Sequence, residues 1–289
     1  MKNAIEVNFI SKKLKNFSLT NVSFNVESGT IMGFVGENGA GKTTTIKAIL
    51  NMIKCDYGSI NIFGTDHIKN ESKIKEDIGI VFDEMCFNES LNLTSMNKIM
   101  KTIYKQWDEQ IFKKHCQRLE LPDDKPFKTF SKGMKMKASI ACAMSHNAKL
   151  LILDEPTSGI DPIMKTEVLD MFQEFVSDEE HSILISSHIT NDLERIADAI
   201  TFIHKGQILL CEDKLSMLER HKLIKCTPQA LETIDSSSII GYRKSKFDCE
   251  VLVNDATPYT TSDFVIDQPT IEQIMFFYAK NFKSSTAKV

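Results

Sequence analysis

One stretch constrains this chain more than any other. Gly36–Glu37–Asn38–Gly39–Ala40–Gly41–Lys42–Thr43–Thr44 fits G-x-x-x-x-G-K-[ST], the pattern of a loop that cradles phosphate. The apolar run Ile31 to Val35 before it reads as a buried strand, and Thr43 to Asn51 after it reads as a helix. In that frame glycines let the backbone close tightly around an anion, successive N–H groups converge on it, and the helix N-terminus adds positive potential. Gly36, Glu37, Asn38, Gly39, Ala40 and Gly41 are expected to form the cradle. Lys42 is expected to reach the β- and γ-phosphates, Thr43 to ligate Mg²⁺ and Thr44 to turn its hydroxyl toward the α-phosphate. The loop specifies a nucleoside triphosphate and leaves open what its energy drives.

The 289 residues fit one large domain or one domain with an appendix. A formal net charge of -4 offers no basic surface to nucleic acid. Seven scattered cysteines, none in C-x-x-C, point to reduced thiols rather than a disulfide framework. The N-terminus lacks the apolar core of a signal peptide, and no run approaches 18 apolar residues. Any membrane part is therefore expected on another polypeptide.

Along the chain, Ala4 to Phe9 and Ser18 to Val26 read as antiparallel strands that could cover an adenine. Phe17 is the nearest ring for stacking on the base, although a Phe among apolar neighbours more often packs in a core. Ile78 to Phe82 reads as a strand ending at Asp83–Glu84, acids that could contact metal or attacking water or simply be solvated. Ser90 to Leu119 reads as helical, with Tyr104 and Trp107 as packing anchors three residues apart on one helix face. Ser131 reads as the N-cap of a helix through Met144.

Lys149 to Leu153 has no alternation, hence a strand buried on both faces, and it ends Asp154–Glu155–Pro156. Two carboxylates at the C-terminal end of such a strand are costly unless used or paired, and ligands bind along that edge in open α/β sheets. Asp154 is expected to hold Mg²⁺ through water and Glu155 to polarise an attacking water. Ser158 to Pro162 is a tight turn into a helix. His181 to Ser186 is a further buried strand that should lie beside the one ending at Asp154, which brings His188 toward the γ-phosphate. Alternating strands and helices from Thr30 to Cys211 give an α/β fold with a largely parallel sheet. After about Leu215 the pattern changes to a small α+β appendix, with a frayed tail from Lys283.

Together these residues resemble the ATP-binding subunits of ABC transporters, over roughly Ala4 to Asp213. Gly36 to Thr44 resembles the Walker A loop, Phe130 to Met134 a variant signature that retains Ser131 and Gly133, and Leu150 to Glu155 Walker B. Ser158 to Asp161 resembles the D-loop and His188 the switch histidine. The resemblance implies a P-loop NTPase core at 1–213, with an antiparallel β subdomain and an inserted helical subdomain at about 86–145. The appendix would occupy 214–289, as a regulator, as a stabiliser of the dimer or as a structural cap over sheet edges. It implies ATP and Mg²⁺, with Glu155 as general base beside Lys42 and His188. Two subunits, identical or paralogous, would stack head to tail, so that Ser131 and Gly133 of one complete the site held by Lys42 of the other. Asp161, in the D-loop stretch, would be a further nucleotide-binding residue.

Separate permease chains would hold the pair at the cytoplasmic face of the membrane. Asp83, or Glu84 by a one-residue slip, stands where the family usually has Gln, as a metal or water contact. The expected site of the stacking aromatic falls near Leu14, and Met134 replaces the signature Gln. These departures resemble a bacterial exporter branch that handles amphipathic peptides, such as phenol-soluble modulins and antimicrobial peptides. A soluble ABC ATPase acting on ribosomes or DNA is the rival class. The single cassette, the absence of a long coiled-coil insert and the acidic balance speak against it.

Overall fold

A computed structural model describes residues 2–83, 87–246, 248–255, 259 and 264–282. The chain divides into two compact units, residues 1–208 and 209–289.

In the first unit, β1 (Asn3–Lys13) pairs antiparallel with β2 (Ser18–Glu27). After β3 (Ile31–Val35) and α1 (Lys42–Ile49), β4 (Tyr57–Ile62) pairs with the other side of β1, and β5 (Thr65–Asp66) with β4. The order of this side sheet is β2-β1-β4-β5. Then come α2 (Glu71–Glu76), β6 (Ile78–Val81), α3 (Leu93–Ile103), α4 (Glu109–Arg118), α5 (Lys132–Ala143), β7 (Leu150–Asp154), α6 (Pro162–Phe175), β8 (Ser182–Ser187), α7 (Thr190–Ile196), β9 (Ala199–His204) and β10 (Gln207–Asp213). The chain passes into the second unit along β10.

The main sheet has the order β10-β9-β3-β8-β7-β6, and β9, β3, β8, β7 and β6 run parallel. Every residue of β3, β7 and β8 is buried, as expected of parallel strands covered on both faces. The side sheet packs on the main sheet through one apolar core that includes Ile5, Val22, Phe24, Phe34, Ile60, Ile152 and Leu184. In it Phe24 stacks on Phe34 at 5.1 Å. Burying each such ring contributes about 1.5–3 kcal/mol.

The stretch read as one helical run is two helices. α3 stops at Ile103, Tyr104 turns extended, and Asp108 caps a new helix by accepting from the N–H groups of Gln110 (2.7 Å) and Ile111 (2.9 Å). Tyr104 and Trp107 therefore do not share a helix face, because both lie in the connection. They are packing anchors even so. Tyr104 stacks on His146 at 3.9 Å, while Trp107 packs on Phe112 at 5.2 Å and donates its indole N–H to Asn97 Oδ1 at 2.7 Å.

The second unit continues with α8 (Lys214–Arg220), β11 (Lys222–Cys226), α9 (Pro228–Leu231), β12 (Ile239–Lys244), β13 (Cys249–Val253), β14 (Val265–Asp267) and α10 (Ile271–Asn281). Its antiparallel sheet has the order β12-β13-β11-β14 over a core that includes Ile224, Val251, Val253 and Tyr259. Thr270 and Gln273 form a reciprocal capping box at the start of α10. At the other end of that helix, Lys280 Nζ donates to the Tyr242 carbonyl at 2.9 Å and Asn281 Nδ2 to the Ile240 carbonyl, both on edge strand β12. The tail from Lys283 lies outside the described residues, as does Glu84. The six cysteines described are all free thiols.

Candidate functional site

The phosphate loop joins β3 to α1, as its pattern requires. Its crest, Glu37, Asn38 and Gly39, is exposed, whereas Gly36, Ala40 and Gly41 are buried. Gly41 occupies the helix-cap position with φ +118°, in the left-handed region that favours glycine. A Cβ there would also meet Phe17 Cζ at 2.8 Å and Leu19 Cδ2 at 2.9 Å. Phe17 thus packs against the loop from the side sheet, half-buried at the edge of the core. Leu14, near the family's usual position for the stacking aromatic, is 39 % exposed.

Lys42 is 6 % exposed. Its ammonium donates to the Gly36 carbonyl at 2.7 Å and stands 3.3 Å from Glu155 Oε1. Glu155 Oε2 in turn lies 2.7 Å from His188 Nδ1 and accepts the His188 backbone N–H at 3.3 Å. One carboxylate therefore bridges the loop lysine and the histidine that follows β8. Glu155 is a left-handed residue with φ +53°, held by its N–H bond to the Ser186 carbonyl at 3.1 Å. That turn lifts its side chain off the strand direction of β7.

Asp154, the last residue of β7, is 3 % exposed. It accepts from Thr43 Oγ1 at 2.7 Å and from Ser186 Oγ, its register partner on β8. Both donors are neutral hydroxyls, and a buried carboxylate so partnered is suited to a cation. Two hard oxygens, the Thr43 hydroxyl and the Asp154 carboxylate, are the donor type that Mg²⁺ takes. Thr44 follows Thr43 on the first turn of α1, half-buried.

The remaining expected site residues form a second group. Ser131 caps α5 by accepting from Met134 N–H at 3.1 Å, and it is exposed. Gly133 is buried, and a Cβ on it would stand 2.4 Å from the Gly159 carbonyl oxygen. Asp161 caps α6 by accepting from Met164 N–H at 3.0 Å. Among the described residues, no side-chain hydrogen bond or ion pair joins Ser131 or Asp161 to Lys42, Thr43, Asp154, Glu155 or His188. Asp83, just beyond the strand beside β7, has its Oδ1 2.7 Å from Lys132 Nζ. The structure thus gathers Lys42, Thr43, Asp154, Glu155 and His188 in one place and gives Asp83 to Lys132.

Sequence reasoning missed Ser186, although its place in the strand ending beside His188 was visible. It also missed Lys132 and the buried pair of Thr157 Oγ1 on Asp192 Oδ2 at 2.8 Å. Lys132 sits inside the Phe130 to Met134 stretch, but nothing local marks its partners, and no local pattern marks the Thr157–Asp192 pair.

The family profile described as ABC transporter matches residues 19–158. The lantibiotic transport ATP-binding protein SrtF of Streptococcus pyogenes is 34 % identical over 197 residues, 68 % of this chain and 84 % of that protein. The chain belongs to the ATP-binding family of ABC transporters. The bacitracin transport ATP-binding protein BcrA of Bacillus licheniformis is 37 % identical over 196 residues, 66 % of this chain and 63 % of that protein. A solved ATP-binding subunit of an ABC transporter superposes with a TM-score of 0.67 at 26 % identity, covering 75 % of this chain and 92 % of its own. A dimeric ATP-binding cassette with ADP and phosphate shares the fold, with a TM-score of 0.65 at 19 % identity over 72 % of this chain and 98 % of its own. As an ABC ATP-binding subunit, the chain carries its P-loop, Asp154–Glu155 and His188 on the C-terminal ends of neighbouring parallel strands, the edge where α/β sheets bind ligands. Among the described residues no helix is long and apolar enough to cross a membrane.

Proposed function

We propose that this chain is the ATP-hydrolysing subunit of an exporter, acting as a pair of subunits beneath separate permease chains at the cytoplasmic face of the membrane. The observation that carries the reading is the Glu155 carboxylate poised between Lys42 and His188, beside the Thr43–Asp154 pair. Lys42 exchanges its bond to the Gly36 carbonyl for phosphate oxygens, and the loop N–H groups hold the rest of the triphosphate. Thr43 and Asp154 would hold Mg²⁺, which would supply positive charge against the phosphates. Glu155 accepts the proton of the attacking water, and His188 keeps the Glu155 carboxylate oriented. Catalysis of this kind is mostly positioning and charge stabilisation.

Ser131 and Gly133 serve the nucleotide of the paired subunit, whether identical or a paralogue. Their separation from the Lys42 group within one chain supports that arrangement. The cargo is a class of amphipathic peptides, a reading supported by relatives named for bacitracin and lantibiotic transport.

The test is phosphate release by the purified chain and its Glu155→Gln variant. The variant should bind ATP, lose roughly 100-fold or more of its turnover and elute as a dimer with ATP. Undiminished turnover refutes the general-base role, and a persistent monomer with ATP refutes the paired-site reading.

A further inference from the structure

Lys132 follows the N-cap of α5 and lies outside the nucleotide group. It nonetheless ties three segments together. Its ammonium is 2.7 Å from Asp83 Oδ1, just beyond β6, and donates to Ser158 Oγ at 3.1 Å, in the turn after β7. Its aliphatic stem runs along Gly159, since a Cβ built there would meet Lys132 Cγ and Cδ at 3.4 Å. Gly133, the next residue, packs its backbone against the Gly159 carbonyl. Ser158 N–H donates to the Glu155 carbonyl at 3.0 Å. The path from Lys132 to Glu155 is therefore one side-chain bond and one backbone bond.

In the paired-subunit reading, on which this inference rests, each chain offers Glu155 to one nucleotide and Ser131 to the other. Lys132 spans these two offerings within a single chain. We infer that Lys132 is a positioning residue that couples the two nucleotide sites of the pair, by fixing the N-terminus of α5 to the Ser158–Gly159 turn and to Asp83. The two side chains are 54 % and 45 % exposed, whereas Asp83 Oδ1 itself is buried and among the described residues accepts no well-aligned hydrogen bond, so the contact is a loose ion pair that can be remade as the subunits close. Two contacts from one ammonium give it direction, because the lysine stays engaged only while the turn and the end of β6 keep their spacing.

The test uses the full chain in the Glu155→Gln background, where ATP-driven pairing is read without turnover. Lys132→Met keeps the stem against Gly159 and removes the charge. It should leave ATP binding by the monomer unchanged and raise the ATP concentration needed for pairing about 3- to 10-fold, the range of one exposed ion pair plus one hydrogen bond. Lys132→Arg, which can still reach both partners, should restore most of the loss. In a Ser158→Ala background the Lys132→Met effect should shrink, since residues that act through each other are not additive. Unchanged pairing in Lys132→Met, or full additivity with Ser158→Ala, overturns the inference and leaves the paired-site reading standing. A Glu155→Gln parent that stays monomeric with ATP overturns that reading instead.

Discussion

Thr43 and Asp154, 111 residues apart in sequence, are joined by a 2.7 Å hydrogen bond across the main sheet. The bond brings the start of α1 and the end of β7 to one point, and among the described residues the hydrogen-bond donors to the Asp154 carboxylate are the hydroxyls of Thr43 and Ser186. Thr43→Ala should therefore cost about 1–2 kcal/mol of stability, the price of a buried carboxylate losing a donor. It should also raise the Mg²⁺ concentration needed for half-maximal turnover. Urea unfolding and a Mg²⁺ titration of phosphate release read the two effects separately. Thr43→Ser, which keeps the hydroxyl, should behave nearly as the parent on both.

Gly133→Ala places a methyl 2.4 Å from the Gly159 carbonyl, a backbone atom that cannot swing aside. The N-terminus of α5 should lift from the 157–160 turn, lowering stability by about 1–3 kcal/mol as overpacking does. Monomer ATP affinity should be unchanged, because Gly133 is not in the Lys42 group. A variant as stable as the parent in urea would show that the turn yields freely.

Phe17→Ala separates two roles for a ring that packs on Gly41. If the ring stacks on adenine, ATP affinity should fall about 5-fold or more, since one stacked base is worth about 1–3 kcal/mol. Affinity for inorganic tripolyphosphate should then hold. Equal losses for both ligands would assign the ring to support of the loop.

Acid should destabilise the first unit. Burial, helped by the nearby charges of Arg118 and Lys114, pushes His115 from 6.5 down to about 4. The unfolded chain takes up its proton near pH 6.5 and the folded chain not until about pH 4. Stability contributed by the neutral ring is thus present above pH 6.5 and lost as pH falls through that window, by at most about 3 kcal/mol. Burial also lowers His146, which adds to the same slope. Urea midpoints between pH 7.5 and pH 4.5 should fall steadily, and His115→Asn should flatten the decline.

The parts legible in the sequence were those whose chemistry is local. The P-loop is one contiguous pattern, and the buried run before Asp154–Glu155 marked both the strand and the acids at its end. The helix cap at Ser131 is local too, and its side chain caps as its type suggests, whereas at Asp161, also a cap, the sequence marked only a turn into a helix. The break between α3 and α4 escaped because Asp108 looked like one more polar residue in a helical composition, whereas its carboxylate ends one element and starts another. α8 and β14 escaped because each is short and lacks strong periodicity. The Asp83–Lys132 pair could not be read at all, since nothing near either residue names a partner some fifty positions away. Phe17 was found as a ring near the site, but only its packing on Gly41 shows what it touches.

Lys280 and Asn281 have a consequence beyond holding α10 in place. Outer-strand carbonyls ordinarily invite another chain to lie alongside. Those of Ile240 and Tyr242 are already bonded to a carboxamide and an ammonium from the same molecule. An extended peptide or a neighbouring copy of β12 would find those two hydrogen-bond acceptors taken. The sheet of the second unit is thereby finished on that flank and does not serve as a template for growth.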